Sequence, residues 1–321
     1  MIVKKINVDW HPGLSIYASE PFLKLVGDEY GWLGGFYEAD NLRCILPYTI
    51  IRKAIFRLVR FRVETIPLNG ELSPDEEKAF LNGVVAYFRK NGADMIMPAT
   101  TNTIFQSYPD GAIAAPYGTF IIDLTQSEDA LWSKLHSKHR NVIRNAMKKG
   151  VEIKEGPEQA HVAHELIRDT LKRSKLGFMG YKEYEELVHT LNNHIKIFVA
   201  YFDGVAQGSA VIPYSDYSAY YLYGGSIPKP LTGAMNFLQW EAIRMFRDLG
   251  VRRYDFVGVR INPADGSKQE GLMMYKQRFG GRLVQGYLWK YPLRPLGCFI
   301  YSQAVKWMRD GDIVDQERQR L

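Results

Sequence analysis

The sequence predicts an α/β protein made of two like-built halves, each a mixed sheet flanked by helices. Three observations carry this. Short apolar runs bounded by turns recur in both halves: GWLGGFYEA, CILPYTII and FRLVRFRVETI early, IKIFVAYF and VAQGSAVIPY late. Each set is followed by a segment of helical period and then a further strand-like run. The length of 321 residues suits two domains. We place the division between residues 1–135 and 136–295, with 296–321 expected to pack back on the first domain.

Partial alternation of Phe56, Leu58, Arg60 and Arg62 against Arg57, Val59, Phe61 and Val63 suits a strand covered on one face. Ser73 as N-cap, Pro74 after it and acidic residues in the first turn start a helix. Leu81, Val84, Val85 and Phe88 share its apolar face, and Asn91-Gly92 ends it. ADMIMPAT and FIIDL read as strands, Ser127 as another N-cap, and Asp129 to Leu135 as a short helix.

The most charged segment follows. From Lys134 to Lys154 there are seven Lys or Arg residues against one Glu, Glu152. Arg140, Arg144 and Lys148 are spaced so that a helix presents them as one stripe, with Val142, Ile143 and Ala146 inward. Such a stripe is either a solvated face or a contact for an anion or RNA phosphate. GPEQAHVAHELIRDTLKRS and YKEYEELVHTL read as helices, then come the antiparallel strands IKIFVAYF, VAQGSAVIPY and YSAYYLYGGS. AMNFLQWEAIRMFRDLG is a helix with Phe237, Trp240, Ile243, Met245 and Phe246 on its apolar side. RRYDFVGV is a strand, EGLMMYKQRFGG a helix ending at paired glycines, RLVQGYLWKY a last strand, and Ser302 to Met308 a helical tail.

Composition narrows the function. With 46% hydrophobic and 24% charged residues the chain is neither collagenous nor disordered. A charge of +6 (41 − 35) is compatible with an anionic ligand without requiring one. Cys44 and Cys298 are too few for a disulfide framework and too far apart for a zinc cluster, so both are expected to be ordinary thiols. No stretch approaches a membrane span, and the start MIVKKINVDWHP has no apolar run of signal-peptide length, so a cytoplasmic protein is expected.

The motif search excludes more than it finds. No GxGxxG follows a strand and no P-loop occurs. His136 and His139, and His161 and His164, have ligand-like spacing but no acidic partner, so no metal is expected. Ser209 lies in a predicted strand without a nucleophile elbow, and Cys44 in a strand-like run. Lys276, after Tyr275 near the end of a helix, is the remaining candidate: a lysine beside a cleft can stabilise negative charge growing on a carbonyl oxygen. Alternation sends Tyr221 and Tyr223 to one strand face and Tyr220 to the other.

Taken together, LHSKHRNVIRNAMKKGVEI, the run from YLYGGSIPKPLTG to RRYDFVGV, and GLMMYKQRFGG resemble the FemABX family of aminoacyl and peptidyl transferases. The resemblance covers most of residues 125–290. It implies tandem GNAT-like domains, mixed sheets flanked by helices, around a cleft. It also implies transfer of an amino acid from aminoacyl-tRNA to an amine of a cell-wall or cell-surface precursor, with no covalent enzyme intermediate. The chain has no heptad run for the helical arm of some members and is similar to the short, armless ones. By the same resemblance Lys276 corresponds to the lysine that stabilises the tetrahedral intermediate, with Tyr275 beside it, and Lys24 to an acceptor-binding lysine. Tyr181 stands where armless members often place an arginine against precursor phosphate. With Tyr184 it is assigned to substrate binding, as are Arg140, Arg144 and Lys148 toward the donor. No general base is assigned: Asp255, Asp110 and the ribose of the bound tRNA are the alternatives.

No cofactor is expected. The pyrophosphate loop of coenzyme A enzymes, [QR]xxGx[GA], is replaced by SIPKPLTGAMNF, and Pro228 and Pro230 lack two of the N–H groups such a cradle needs. Peripheral membrane contact is compatible with the chain. Two alternatives remain: a thioester-dependent N-acyltransferase acting on an amino sugar or polysaccharide precursor, and a module that only binds RNA or an anionic surface.

Overall fold

The structure, a computed structural model, describes residues 1–38, 41–68, 70–294 and 311–320. In the first half β1 (Ile2–Ile6), β2 (Glu29–Phe36), β3 (Leu42–Lys53) and β4 (Phe56–Phe61) form an antiparallel meander, with β5 (Ile66–Pro67) on β3. A short helix, α1 (Glu20–Val26), precedes β2. Helix α2 (Pro74–Lys90) then crosses to β6 (Met95–Ile96), which lies parallel to β4. The N-terminus of α2 forms as its residues dictate: Ser73 Oγ accepts from Glu76 N–H, and the Glu76 carboxylate accepts from Ser73 N–H at 2.7 Å. Phe80, Leu81, Val84, Val85 and Phe88 bury its apolar stripe. Each such side chain contributes about 1.5–3 kcal/mol.

The second half repeats this scheme. After β7 (Ile113–Asp123) come α3 (Glu128–Lys134), α4 (Ser137–Lys148), β8 (Glu152–Glu155), α5 (Ala160–Arg173) and α6 (Tyr181–Leu191). Antiparallel β9 (Ile195–Phe202) and β10 (Val205–Pro213) follow, then β11 (Ala219–Tyr220) and β12 (Tyr223–Ser226). Helix α7 (Ala234–Asp248) crosses to β13 (Arg253–Asp255), parallel to β11 as β6 is to β4. Helix α8 (Lys268–Gln277) and β14 (Arg282–Pro292) complete this half, and α9 (Ile313–Arg318) lies near the C-terminus.

One sheet runs β1-β2-β3-β4-β6-β14-β7-β13-β11, and a second runs β12-β10-β9-β8. β14 pairs with β7 from Arg282↔Ile121 to Lys290↔Ile113 and with β6 at its end, so elements from both sides of residue 135 share a sheet. Val314 of α9 enters the core formed by Phe80, Trp289 and their neighbours, and Lys290 Nζ reaches Asp312 Oδ2 at 2.7 Å and Asp315 Oδ1 at 2.6 Å. The helix expected over Ser302 to Met308, and Cys298, lie outside the described residues.

Two expectations are corrected. ADMIMPAT forms a strand only at Met95–Ile96. The single strand expected over YSAYYLYGGS is two: Tyr221 N–H donates to Asp255 O at 2.8 Å in the large sheet, while Leu222 N–H donates to Val211 O at 3.1 Å in the small one. Adjacent residues therefore hand the chain from one sheet to the other. On either side of this point Tyr220 is buried on Tyr17 and Tyr223 is half-buried against Phe178.

Candidate active site

Where β11 and β13 part, the chain after Asp255 makes an unusual turn. Val257 and Gly258 both take positive φ, 51° and 53°. A β-branched residue there is strained by about 1–3 kcal/mol, so the surroundings must hold it. Asp255 Oδ1 accepts from Val257 N–H at 2.8 Å and from the Thr119 hydroxyl at 2.5 Å. Val259 and Gly118 exchange backbone bonds at 2.6 and 3.1 Å, and Arg260 Nε meets Glu317 Oε1 of α9 at 2.8 Å.

The carbonyls of this turn accept from Lys276: its Nζ donates to Gly258 O at 2.7 Å and also to Val257 O. Lys276 sits in the last turn of α8, a helix in which no residue is fully buried. Its neighbours fix it. Tyr275 donates through its hydroxyl to Met235 O at 3.2 Å, and Phe279 packs on Phe256. The buried His139 ring of α4 meets Tyr275 O at 3.1 Å. Burial pushes the Lys276 ammonium down to about 8, with Asp255 acting against the shift. Burial raises Asp255, opposed first by Arg253 and then by its hydrogen bonds.

A cavity of about 540 Å³ opens between α1, α6 and the end of β4. Phe22, Leu25 and Val26 of α1, Glu183, Glu186 and Leu187 of α6, Arg60, Arg62, the segment Thr100–Asn102, and Leu222 and Tyr223 at the parting of the strands line it. Lys276 is not on this wall, but its anchor backs it. A Cβ on Gly258 would stand 3.1 Å from Thr101 O and 3.0 Å from Thr101 Cβ.

The other expected residues are distributed less tightly. Lys24 is exposed on α1, paired with Glu20 at 2.9 Å and 5.9 Å from the Tyr30 ring, and is not part of the cavity wall. Tyr181 packs edge-on against His161 and His164, while Tyr184 is fully buried beside them, so both belong to an aromatic cluster under α6. The stripe on α4 forms, but Arg140 donates to Ser133 O at 3.0 Å and to Leu135 O, and Arg144 lies 5.4 Å over the Trp132 ring. Lys148 is exposed. Asp110 is exposed and paired with Lys78 at 2.8 Å, whereas Asp255 stands beside the lysine's anchor.

His139 and His164 are held by the packing around them. His139 is pushed down to about 4 by burial, and His164 meets Met179 O at 3.0 Å. Among the described residues no group of three or more His, Cys, Asp or Glu could hold a metal. Cys44 is buried and pushed up to about 12, so its thiol is inert at neutral pH. Reasoning from sequence missed Arg60, Arg62, Glu183 and Glu186 as cavity residues. The signal was present for the first two, as cations interrupting the apolar run FRLVRFRVETI.

Comparison with known proteins agrees with this fold. Residues 137–277 match the family described as acetyltransferase (GNAT) domain. The crystal structure of FemX superposes with a TM-score of 0.69 at 14% identity, over 92% of this chain and 99% of that one. The C-terminal domain of a putative lysylphosphatidylglycerol synthetase from Agrobacterium fabrum gives 0.51 at 14% identity, over 86% and 89%. A tandem GNAT protein from the clavulanic acid biosynthesis pathway gives 0.50 at 13%, over 86% and 87%. No curated protein sequence matches the chain. The fold is therefore FemX-like, a tandem GNAT α/β architecture of mixed sheets and flanking helices, within which residues 137–277 match an acetyltransferase (GNAT) domain. Among the described residues no helix is long and apolar enough to cross a membrane.

Proposed function

We propose that the protein transfers an aminoacyl group from aminoacyl-tRNA to the amine of a cell-wall or cell-surface precursor in the cytoplasm. The observation that carries this reading is the Lys276 ammonium, held by two carbonyls of a strained turn where the strands part. The acceptor amine attacks the ester carbonyl, a C–N bond forms, the C–O bond to the ribose breaks, and the amine's proton passes to the ribose oxygen. An ester is already activated, so the enzyme has to align the two partners and stabilise the oxyanion. Lys276 supplies that charge without a covalent step.

Two features favour a donor other than coenzyme A. Pro228 and Pro230 offer no N–H groups ahead of α7. Gly233, at the start of α7, lies so close to α4 that a Cβ would stand 2.2 Å from Val142 O. The helix end that would cradle a pyrophosphate is thus packed against protein. A thioester donor is the second reading, favoured by the acetyltransferase (GNAT) match over 137–277.

The test is transfer from bulk tRNA charged with radiolabelled amino acids into small molecules of a cell extract, with and without ribonuclease. Label in an amide-stable product only with intact tRNA supports the first reading. Activity with acyl thioesters that ribonuclease leaves untouched replaces it with the second.

A further inference from the structure

The turn that aims Lys276 is strained at Val257, so it holds its shape only if both ends are anchored. Upstream, Asp255 Oδ1 accepts from Val257 N–H. Downstream, the chain passes through the Val259–Gly118 bridge to Arg260. There Nε lies 2.8 Å from Glu317 Oε1, and Nη2 reaches Gln316 Oε1 at 3.5 Å. Both acceptors belong to α9, which is distant in sequence from the turn. The contact is sheltered: the Arg260 side chain is 13% exposed and that of Glu317 9%. Removing one partner of such a pair leaves the other charge buried and uncompensated.

Helix α9 can fix a position because it is itself fixed. Its 6 residues are too few to sustain a helix alone in water. Val314 is fully buried in the core with Phe80 and Trp289, and the buried Lys290 ties Asp312 and Asp315 to β14. Tyr117 of β7 lies close to both the turn and the ion pair. A Cβ on Gly258 would stand 3.2 Å from its hydroxyl, and the charge of Glu317 adds to burial in pushing that hydroxyl up, with Arg260 opposing. Neither Arg260 nor Glu317 lines the cavity. Their route to the chemistry is therefore through the turn.

We propose that α9 is a positioning strap for Lys276: the Glu317 carboxylate holds Arg260, and Arg260 holds the Val257 and Gly258 carbonyls in the places that aim the ammonium. Arg260 and Glu317 are then positioning residues, which touch neither substrate nor the reacting atoms. The proposal rests on the reading of Lys276 as the cation that meets the oxyanion, and adds the element that keeps it there. Without the pair, Val257 is free to relax toward negative φ, and the carbonyls turn away from Nζ.

Arg260→Met, Glu317→Gln and the double variant, made in the full chain, test this by two readouts. The first needs no donor: NMR titration of isotope-labelled lysine, with the Lys276 signal assigned by its loss in Lys276→Arg. Water reaches the loosened ammonium, so each variant raises the Lys276 midpoint from about 8 toward the ordinary 10.5, by about one pH unit or more. Thermal melting verifies the fold, and the double variant, which buries no lone charge, keeps it where a single variant loses it. The second readout is transfer from charged tRNA. In each variant kcat falls about tenfold while KM changes less than about twofold, and the double loses no more than the worse single, because both act through one link. A midpoint that does not rise in a folded variant, or losses in kcat that multiply in the double, overturns the proposal. A raised midpoint in the variants, with no transfer by the parent, leaves the strap standing and removes the aminoacyl reading. Transfer by the parent with an unmoved midpoint in the variants does the reverse.

Discussion

The Lys276 ammonium lies 2.7 Å from Gly258 O, and a Cβ on Gly258 would stand 3.1 Å from the carbonyl oxygen of Thr101 on the cavity wall. This places the charge proposed to stabilise the oxyanion one residue behind the cavity wall. Burial also pulls Lys276 down to about 8, so its charge is lost within an accessible pH range. The protonated form is the one that acts, so the lysine's contribution to kcat is lost as pH rises through about 8 and shows as a descending limb once the acceptor amine is deprotonated. Lys276→Arg, whose charge does not titrate, retains part of the activity and loses the descending limb. Lys276→Met lowers kcat about 10²–10³-fold with the fold intact. A pH–rate profile of the three proteins checks this, and an unchanged descending limb in the arginine variant rejects the assignment.

Val257→Gly removes a strained β-branched residue at φ 51°. The relief of strain is offset by the greater freedom of glycine in the unfolded chain, so stability changes by about 1 kcal/mol or less. Activity is expected to fall more than stability, because the carbonyl pair that aims Lys276 loosens. Thermal melting and kcat measured together separate the two effects. Unchanged kcat means that the turn does not position the lysine.

The sequence carried the parts of this site that local chemistry encodes. Ser73 and Glu76 define a helix start by themselves, and the Tyr275, Phe279 and paired-glycine pattern places Lys276 at a helix end. What it could not carry are choices made by distant partners. Residues 221 and 222 join different sheets because Asp255 and Val211 compete for the chain, a decision invisible in YSAYYLYGGS. The lysine's acceptors are main-chain carbonyls, which leave no residue-type signal. Arg140 sits on the predicted stripe, yet bonds to carbonyls at the α3–α4 junction, because spacing fixes a helical face and not what the face meets. Tyr181 packs on His161 and His164, and Tyr184 on His164, contacts between two helices that neither segment encodes alone.

Glu77 of α2 is buried, accepts from Ser107 N–H at 2.8 Å, and is pushed up to about 7 by burial. A carboxyl that binds its proton more tightly when folded contributes stability below its unfolded value of 4.5, and that contribution is lost as pH rises to about 7. Glu77→Gln should therefore be less harmful, relative to the parent, at pH 8 than at pH 5, by on the order of 1–3 kcal/mol. Urea unfolding at the two pH values measures the difference, and the same difference at both removes Glu77 as its source.

The three cations of α4 make a sharper case, because the structure gives them different work. Arg140 bonds to Ser133 O and Leu135 O, so Arg140→Ala should cost about 1–2 kcal/mol of stability by leaving those carbonyls short of a donor. Arg144→Ala loses its contact with Trp132, worth about 0.5–1 kcal/mol at a partly exposed site. Lys148 is exposed, and Lys148→Ala should alter stability by no more than about 0.5 kcal/mol. Binding of bulk tRNA is expected to rank them in the opposite way. Lys148→Ala reduces the slope of log affinity against log salt concentration by about one, as for a lost phosphate contact. Arg140→Ala, its guanidinium already engaged by protein, changes that slope less. Melting temperatures combined with a salt titration of tRNA affinity give both rankings, and a slope unaffected by Lys148→Ala removes this helix from the donor site.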